Sequence, residues 1–140
     1  MCIRDSLNRV AFGNNTFVAG SWLSPYGTII TSSDNGTSWD NRSIVYQREF
    51  RDVAFGESTF VAVGAYGSDG IILTSSDNAS SWDNRTTNST KSLYGVTYGN
   101  GKFVTVGYDG TILTSSDNGT TWTSRTSGTS ASLYEVTFTE

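Results

Sequence analysis

The chain has 140 residues, a single Cys, no His and a formal net charge of −4. One cysteine excludes an internal disulfide, the lack of His excludes Ser-His-Asp catalysis, and acidity without basic clusters argues against nucleic acid as a partner. Charged residues are scarce at 16% and aromatic ones frequent at 13%, which suits one folded domain of short strands and many turns; no apolar run approaches the roughly 18–20 residues of a membrane span.

Residues 1–6, MCIRDS, fit no phase of the pattern that follows and lack the apolar core of a signal peptide. They are set aside as foreign to the fold, and Cys2 with them. From Leu7 the chain aligns against itself. A first strand of the form Leu/Phe-x-x-Val-x-Phe/Tyr occurs four times: Leu7-Val10-Phe12, Phe50-Val53-Phe55, Leu93-Val96-Tyr98 and Leu133-Val136-Phe138. The Val and the aromatic two residues on share one face of a strand. After a short turn comes a near-continuous apolar run beginning at Phe17, Phe60 and Phe103, as expected of a strand covered on both faces. A Gly-rich connection of variable length leads to a third strand, at residues 28–31, 71–74 and 111–114. A fourth, polar strand carries Arg42, Arg85 or Arg125, which suits an outer edge in water. The repeat units are residues 7–49, 50–92 and 93–132, with 133–140 a leftover inner strand of a fourth.

Between the third and fourth strands stands a repeated nonapeptide: TSSDNGTSW, TSSDNASSW and TSSDNGTTW, ending at Trp39, Trp82 and Trp122. Its aspartates, Asp34, Asp77 and Asp117, lie 43 and 40 residues apart, a period typical of arrays of small all-β units. Asn-Gly between β-prone runs is a strong hairpin signal, and the Asp, Ser and Thr side chains can accept backbone N–H bonds within the turn. Gly36 and Gly119 supply a positive φ; Ala79 holds the same phase in the second copy, so Ala79→Gly is expected to stabilise the fold slightly. Every conspicuous residue of the turn has a structural role.

The pattern Ser-x-Asp-x-Gly-x-Thr/Ser-Trp resembles the Asp-box, or BNR repeat, of neuraminidase-type β-propellers. Ser32, Asp34, Gly36 and Trp39 carry the resemblance in the first copy, Ser75, Asp77 and Trp82 in the second, and Ser115, Asp117, Gly119 and Trp122 in the third. The resemblance implies a structural turn away from the active face, in a family that includes glycosidases, assembly factors and receptors. Trp39-Asp40 and Trp82-Asp83 imitate WD repeats, but the Gly-His signature of that family is missing. The spaced ligands and closing Glu of a calcium loop are also missing. The expected fold class is all-β: a β-propeller fragment of three four-stranded antiparallel blades plus one extra inner strand.

Two places invite function. Loops opposite the Asp-box turns vary from copy to copy and carry the ligand-face candidates Trp22, Tyr26, Tyr46, Tyr66 and Tyr108. On the inner strands, the residue before the Val is Arg9, Asp52, Gly95 and Glu135 in turn, preceded by Asn8, Arg51, Tyr94 and Tyr134. Arg9, Asp52 and Glu135 can converge on the axial channel, where two carboxylates and an arginine are raw material for glycoside chemistry; a solvated channel of mutually neutralising charges is the favoured alternative. Against a sialidase, the Arg-Ile-Pro segment is absent, Pro25 being the only Pro. No metal-ligand cluster, phosphate loop or cofactor motif is present. The sequence points to a non-catalytic binding or scaffold module of an extracytoplasmic bacterial protein, with a carbohydrate or protein ligand, and with further blades or self-association to close the ring. The alternative is a fragment of a glycoside hydrolase with its carboxylates on the inner strands.

Overall fold

A computed structural model of the chain describes residues 7–21, 27–42, 48–87 and 89–140. It contains three four-stranded antiparallel sheets. The first is β1 (Leu7–Gly13), β2 (Thr16–Ser21), β3 (Ile29–Ser32) and β4 (Asp40–Asn41). The second is β5 (Glu49–Gly56), β6 (Thr59–Tyr66), β7 (Asp69–Ser75) and β8 (Asp83–Arg85). The third is β9 (Leu93–Gly99), β10 (Lys102–Gly107), β11 (Ile112–Ser115) and β12 (Thr123–Arg125), with a 3₁₀ turn at Tyr108–Gly110. Among the described residues no helix is long and apolar enough to cross a membrane.

The inner strands hold a feature that strict alternation does not anticipate. Leu7 pairs with Ser21 and Arg9 with Gly20, so Asn8 is skipped. Arg51 is skipped in the same way between Phe50 and Asp52, and Tyr94 between Leu93 and Gly95. A bulge at one phase of every inner strand absorbs the extra residue of Leu-x-x-Val. It lets Phe50 and Val53, or Leu93 and Val96, bury on one face despite their odd spacing. Beyond the bulge the register is regular, and Phe12 faces Phe17, Phe55 faces Phe60 and Tyr98 faces Phe103 with ring centroids 4.6, 4.6 and 4.8 Å apart.

The sheets pack in chain order. Phe60 and Ala62 of β6 join Val18, Ile29, Phe50 and Ala79 in the core between the first and second sheets. Val61 and Val63 join Leu93, Phe103, Leu113 and Trp122 in the core between the second and third. Strand β6 is therefore covered on both sides, which explains its unbroken apolar run; each Phe or Val fully buried there contributes about 1.5–3 kcal/mol. Each sheet also seats the next through a missing side chain. A Cβ on Gly13 would overlap the Phe55 ring, and one on Gly56 the Tyr98 ring.

Residues 133–140 continue this stacking without a ladder of their own. The Leu133 N–H donates to the Gly107 carbonyl at 3.0 Å. Tyr134 stacks on Tyr94 with centroids 5.0 Å apart and 12° between planes. The Phe138 ring lies where a Cβ on Gly99 would be. The segment stands against β9 as β9 stands against β5.

Candidate functional site

The bulges aim one residue per inner strand toward the centre of the arc, and the charges expected to meet there do meet. Arg9 Nε lies 3.9 Å from Asp52 Oδ1, and Arg9 Nη2 lies 3.7 Å from Glu135 Oε1. Both pairs are long and partly solvated, so each is worth little on its own. Asp52 is held more firmly by backbone. Its Oδ1 accepts the Val53 N–H at 2.9 Å, and its Oδ2 accepts the Val96 N–H of the next sheet at 2.8 Å. Burial raises the Asp52 carboxyl above its ordinary value, against the pull of those two N–H groups and of Arg9. Glu135 is exposed at the mouth of the cluster.

Gly95, the equivalent position of β9, faces the backbone of the last segment: a Cβ there would come 3.2 Å from both Glu135 Cα and Tyr134 O. Asp52 thus reaches across one sheet boundary, while the equivalent position at the next boundary carries no side chain. Next to this position the bulged residues form a second array. Arg51 pairs with Glu49 at 2.7 Å and places its guanidinium 4.9 Å from the centre of the Tyr94 ring, and Tyr94 stacks on Tyr134. Sequence reasoning named these positions without giving them a role. Their common phase, and the aromatic ring at two of the four, was the available signal.

In the repeated turn each Asp is closed in on its own loop. Ser32 Oγ and the Ser38 N–H donate to Asp34 Oδ1, while Ser38 Oγ donates to Oδ2 at 2.6 Å. Asp77 has the same partners in Ser75 and Ser81, and Asp117 in Ser115 and Thr121. These donors hold all three carboxyls at about 2, below the usual 3.8. Both oxygens of each carboxylate are engaged within its own turn. Trp122 is buried and donates from Nε1 to the Gly119 carbonyl at 2.9 Å; Trp39 makes the same bond to Gly36 at 3.1 Å but is exposed, as among the described residues no sheet covers that side of the first one. Among the described residues no three His, Cys, Asp or Glu side chains are grouped to hold a metal ion.

Of the ligand-face candidates, Tyr66 and Tyr108 are each about half exposed. Lys91 Nζ sits 5.3 Å from the centre of the Tyr108 ring and pairs with Asp109 at 3.0 Å. Beside them opens a polar cleft of about 790 Å³ lined by Thr87, Lys91, Asp109, Thr111, Arg125 and Thr129. Trp22, Tyr26 and Tyr46 lie outside the described residues. The repeated turns are on the opposite side, together with the β1–β2 turn, from which Asn14 Nδ2 donates to Asn78 Oδ1 at 2.6 Å.

No family model and no curated protein matches the chain. Solved structures do. The one described as YCF48 bound to D1 peptide aligns at a TM-score of 0.71 and 20% identity, over 86% of this chain and 39% of that one. The computationally designed Ika4 protein aligns at 0.69 and 13% identity, over 99% and 83%. The GH74 enzyme of Niastella koreensis aligns at 0.57 and 20% identity, over 84% and 17%. The fold is that of a β-propeller. Each sheet is a blade, and β1, β5 and β9 are inner strands. This chain spans 39% of the length of the YCF48 chain and 17% of that of the GH74 enzyme.

Proposed function

We propose that this chain is a non-catalytic propeller module of the Asp-box kind, with a binding or scaffold role in an extracytoplasmic bacterial protein. The observation that carries the reading is the state of Asp52, whose two oxygens accept the Val53 and Val96 amides. A carboxylate tied to two backbone N–H groups and faced by Arg9 supports the blade boundary and is poorly placed to exchange protons with a substrate. The identical bonding of Asp34, Asp77 and Asp117 supports the Asp-box assignment. An extended peptide is the first ligand class to test, since a similar structure is described as peptide-bound; a sugar is the second. The exposed Tyr108, with Lys91 and the hydroxyl-lined cleft, offers both ring and hydrogen-bonding surface for either.

The second reading, a glycoside hydrolase, is favoured by one observation: Asp52 and Glu135 face the same guanidinium, and burial raises the Asp52 carboxyl. Such enzymes keep two carboxylates about 5–9.5 Å apart, one of them raised. Turnover of aryl glycosides from pH 3 to 7 separates the readings. The module is expected to show none above background. Turnover that disappears in both Asp52→Asn and Glu135→Gln overturns the proposal.

A further inference from the structure

Asn-Gly is the hairpin signal of this chain and also a chemically labile dipeptide, and it occurs at residues 35–36, 100–101 and 118–119. The peptide nitrogen of the Gly can attack the Asn side-chain carbon, so whatever holds that nitrogen decides the fate of the pair. Backbone conformation does not separate the three. Both residues of each pair are left-handed, with φ of 58° and 81°, 49° and 72°, and 57° and 79°.

Hydrogen bonding does separate them. In the repeated turns the Gly36 N–H donates to Ser32 Oγ and the Gly119 N–H to Ser115 Oγ, both at 2.9 Å. The carbonyls of these glycines are held too, accepting the Trp39 indole at 3.1 Å and the Trp122 indole at 2.9 Å. Asn100 and Gly101 instead form the exposed two-residue turn between β9 and β10, closed by the Gly99–Lys102 pair. Among the described residues nothing accepts the Gly101 N–H. That is a property of the turn and not of its neighbours. Asn15 and Ser58 hold the same position in the β1–β2 and β5–β6 turns, with the next sheet packed alongside, and among the described residues their N–H groups go unaccepted as well.

We propose that Asn100 is a site of spontaneous deamidation, and that Ser32 and Ser115 protect Asn35 and Asn118 from the same reaction. The Gly101 nitrogen gives its proton to solvent base and bonds to Asn100 Cγ. The side-chain nitrogen departs as ammonia with a proton drawn from water, leaving a five-membered imide. Water opens the imide at either carbonyl, to isoaspartate or aspartate; the net change is one water in and one ammonia out, with no oxidant or reductant. A Gly N–H bonded to Ser Oγ meets base only when its turn opens. Isoaspartate adds a methylene to the main chain, and a carboxylate, in a two-residue turn whose geometry sets the β9–β10 register. This inference is independent of the binding role proposed above.

The test ages the 140-residue chain in mildly alkaline buffer and follows the three Asn-Gly peptides by mass, with isoaspartate identified by electron-transfer fragmentation. Asn100 is expected to convert first, and Asn35 and Asn118 about tenfold more slowly, the factor that one amide hydrogen bond commands. In denaturant the three rates are expected to converge, because the dipeptide is the same. Ser115→Ala is expected to bring Asn118 toward the rate of Asn100 while Asn35 stays slow. A second measurement, on the parent chain, holds even where that variant fails to fold: the Gly101 amide is expected to exchange hydrogen about tenfold faster than those of Gly36 and Gly119. Equal native rates at the three sites overturn the proposal, as does a gap that persists in denaturant. So does a folded Ser115→Ala chain in which Asn118 is as slow as before, or equal exchange of the three Gly amides.

Discussion

Asp52 Oδ2 accepts the Val96 N–H at 2.8 Å and so ties the second blade to the third through a side chain on the axis. Its Oδ1 accepts Val53 in the same way, so Asp52→Ala strands two backbone donors at once. Each unpaired buried donor costs about 1–3 kcal/mol, less where water enters, and a loss near 2 kcal/mol is expected for the Ala variant. Asp52→Asn keeps one acceptor and is expected to lose about half as much. Denaturant midpoints at constant slope measure both. An Asn variant as stable as the parent would mean that the bridge contributes nothing.

Acid is expected to unfold the module through its turns. Asp34, Asp77 and Asp117 ionise at about 2 in the folded state against 3.8 as the ordinary value. Between those limits the unfolded chain binds more protons, so stability rises with pH from about 2 to about 4 and is lost as pH falls. Asp52 runs the other way. Burial raises its folded value, so its contribution falls as pH rises above the ordinary carboxylate value. Three groups against one give a net loss in acid. Melting temperature recorded from pH 2 to 5 is expected to climb, and Asp117→Asn to flatten the climb. A variant profile parallel to the parent would show that the turn carboxylates are not the acid-sensitive groups.

The strand order and the double coverage of β6 were legible because each depends on residues close in sequence: an aromatic-Gly turn, an apolar run, a nonapeptide. The bulge was written in the three-residue step from Leu93 to Val96, where alternation asks for two or four, but a single strand does not reveal which residue is skipped. Convergence of Arg9, Asp52 and Glu135 followed from their common phase. What Asp52 grips did not, since Val96 lies 44 residues away and offers only its backbone. The glycines after Phe12, Phe55 and Tyr98 read as turn residues, yet they also leave room for a ring of the following blade. Contacts between blades pair residues about one repeat apart, so no local pattern announces them.

Gly36 and Gly119 share one turn, with φ of 81° and 79°, but not one environment. A Cβ on Gly119 would come 2.9 Å from Thr74 Cγ2 and 3.3 Å from Val61 Cγ2 of the second blade. On Gly36 it would meet, among the described residues, only Trp39, at 3.9 Å. Both alanine variants carry the left-handed backbone cost of about 1–2 kcal/mol, while Gly119→Ala adds crowding of about 1 kcal/mol. Chemical denaturation of the two variants is expected to rank Gly119→Ala as the less stable. Equal losses would mean that the blades do not press on the turn.

The outer-strand arginines are surface residues with an anchor. Arg85 Nε donates to the buried Thr74 hydroxyl at 2.7 Å, Arg125 to Thr114 at 3.0 Å and Arg42 to Thr31 at 3.4 Å. Arg85 also pairs with Asp83 at 3.1 Å. Alanine substitution is expected to cost about 1 kcal/mol at Arg85 and less than about 0.5 kcal/mol at Arg42, in the order of bond length. The three melting temperatures test the ranking, and a larger loss at Arg42 than at Arg85 reverses it.

Ala79 keeps the turn geometry of the glycine copies, with φ of 63° after Asn78 at 59°, and its N–H donates to Ser75 Oγ at 2.9 Å as Gly36 and Gly119 do to theirs. The slight stabilisation expected of Ala79→Gly from backbone strain alone is nevertheless corrected by the packing. The methyl group is fully buried in the core between the first and second blades. Removing it costs about 0.8 kcal/mol, and the freer unfolded chain costs about 0.4–1 kcal/mol more. Relief of the left-handed backbone returns about 1–2 kcal/mol, so the net change is expected to lie within about 0.8 kcal/mol of zero. The informative readout is Trp82, whose buried Nε1 has no acceptor among the described residues, whereas Trp39 and Trp122 bond the carbonyl at this turn position. Glycine can relax toward the 79–81° of the other copies and turn its carbonyl to the indole. The Trp82 indole proton in Ala79→Gly is therefore expected to shift downfield and exchange as slowly as that of Trp122. An unchanged indole signal would show that something other than the alanine keeps Trp82 from its carbonyl.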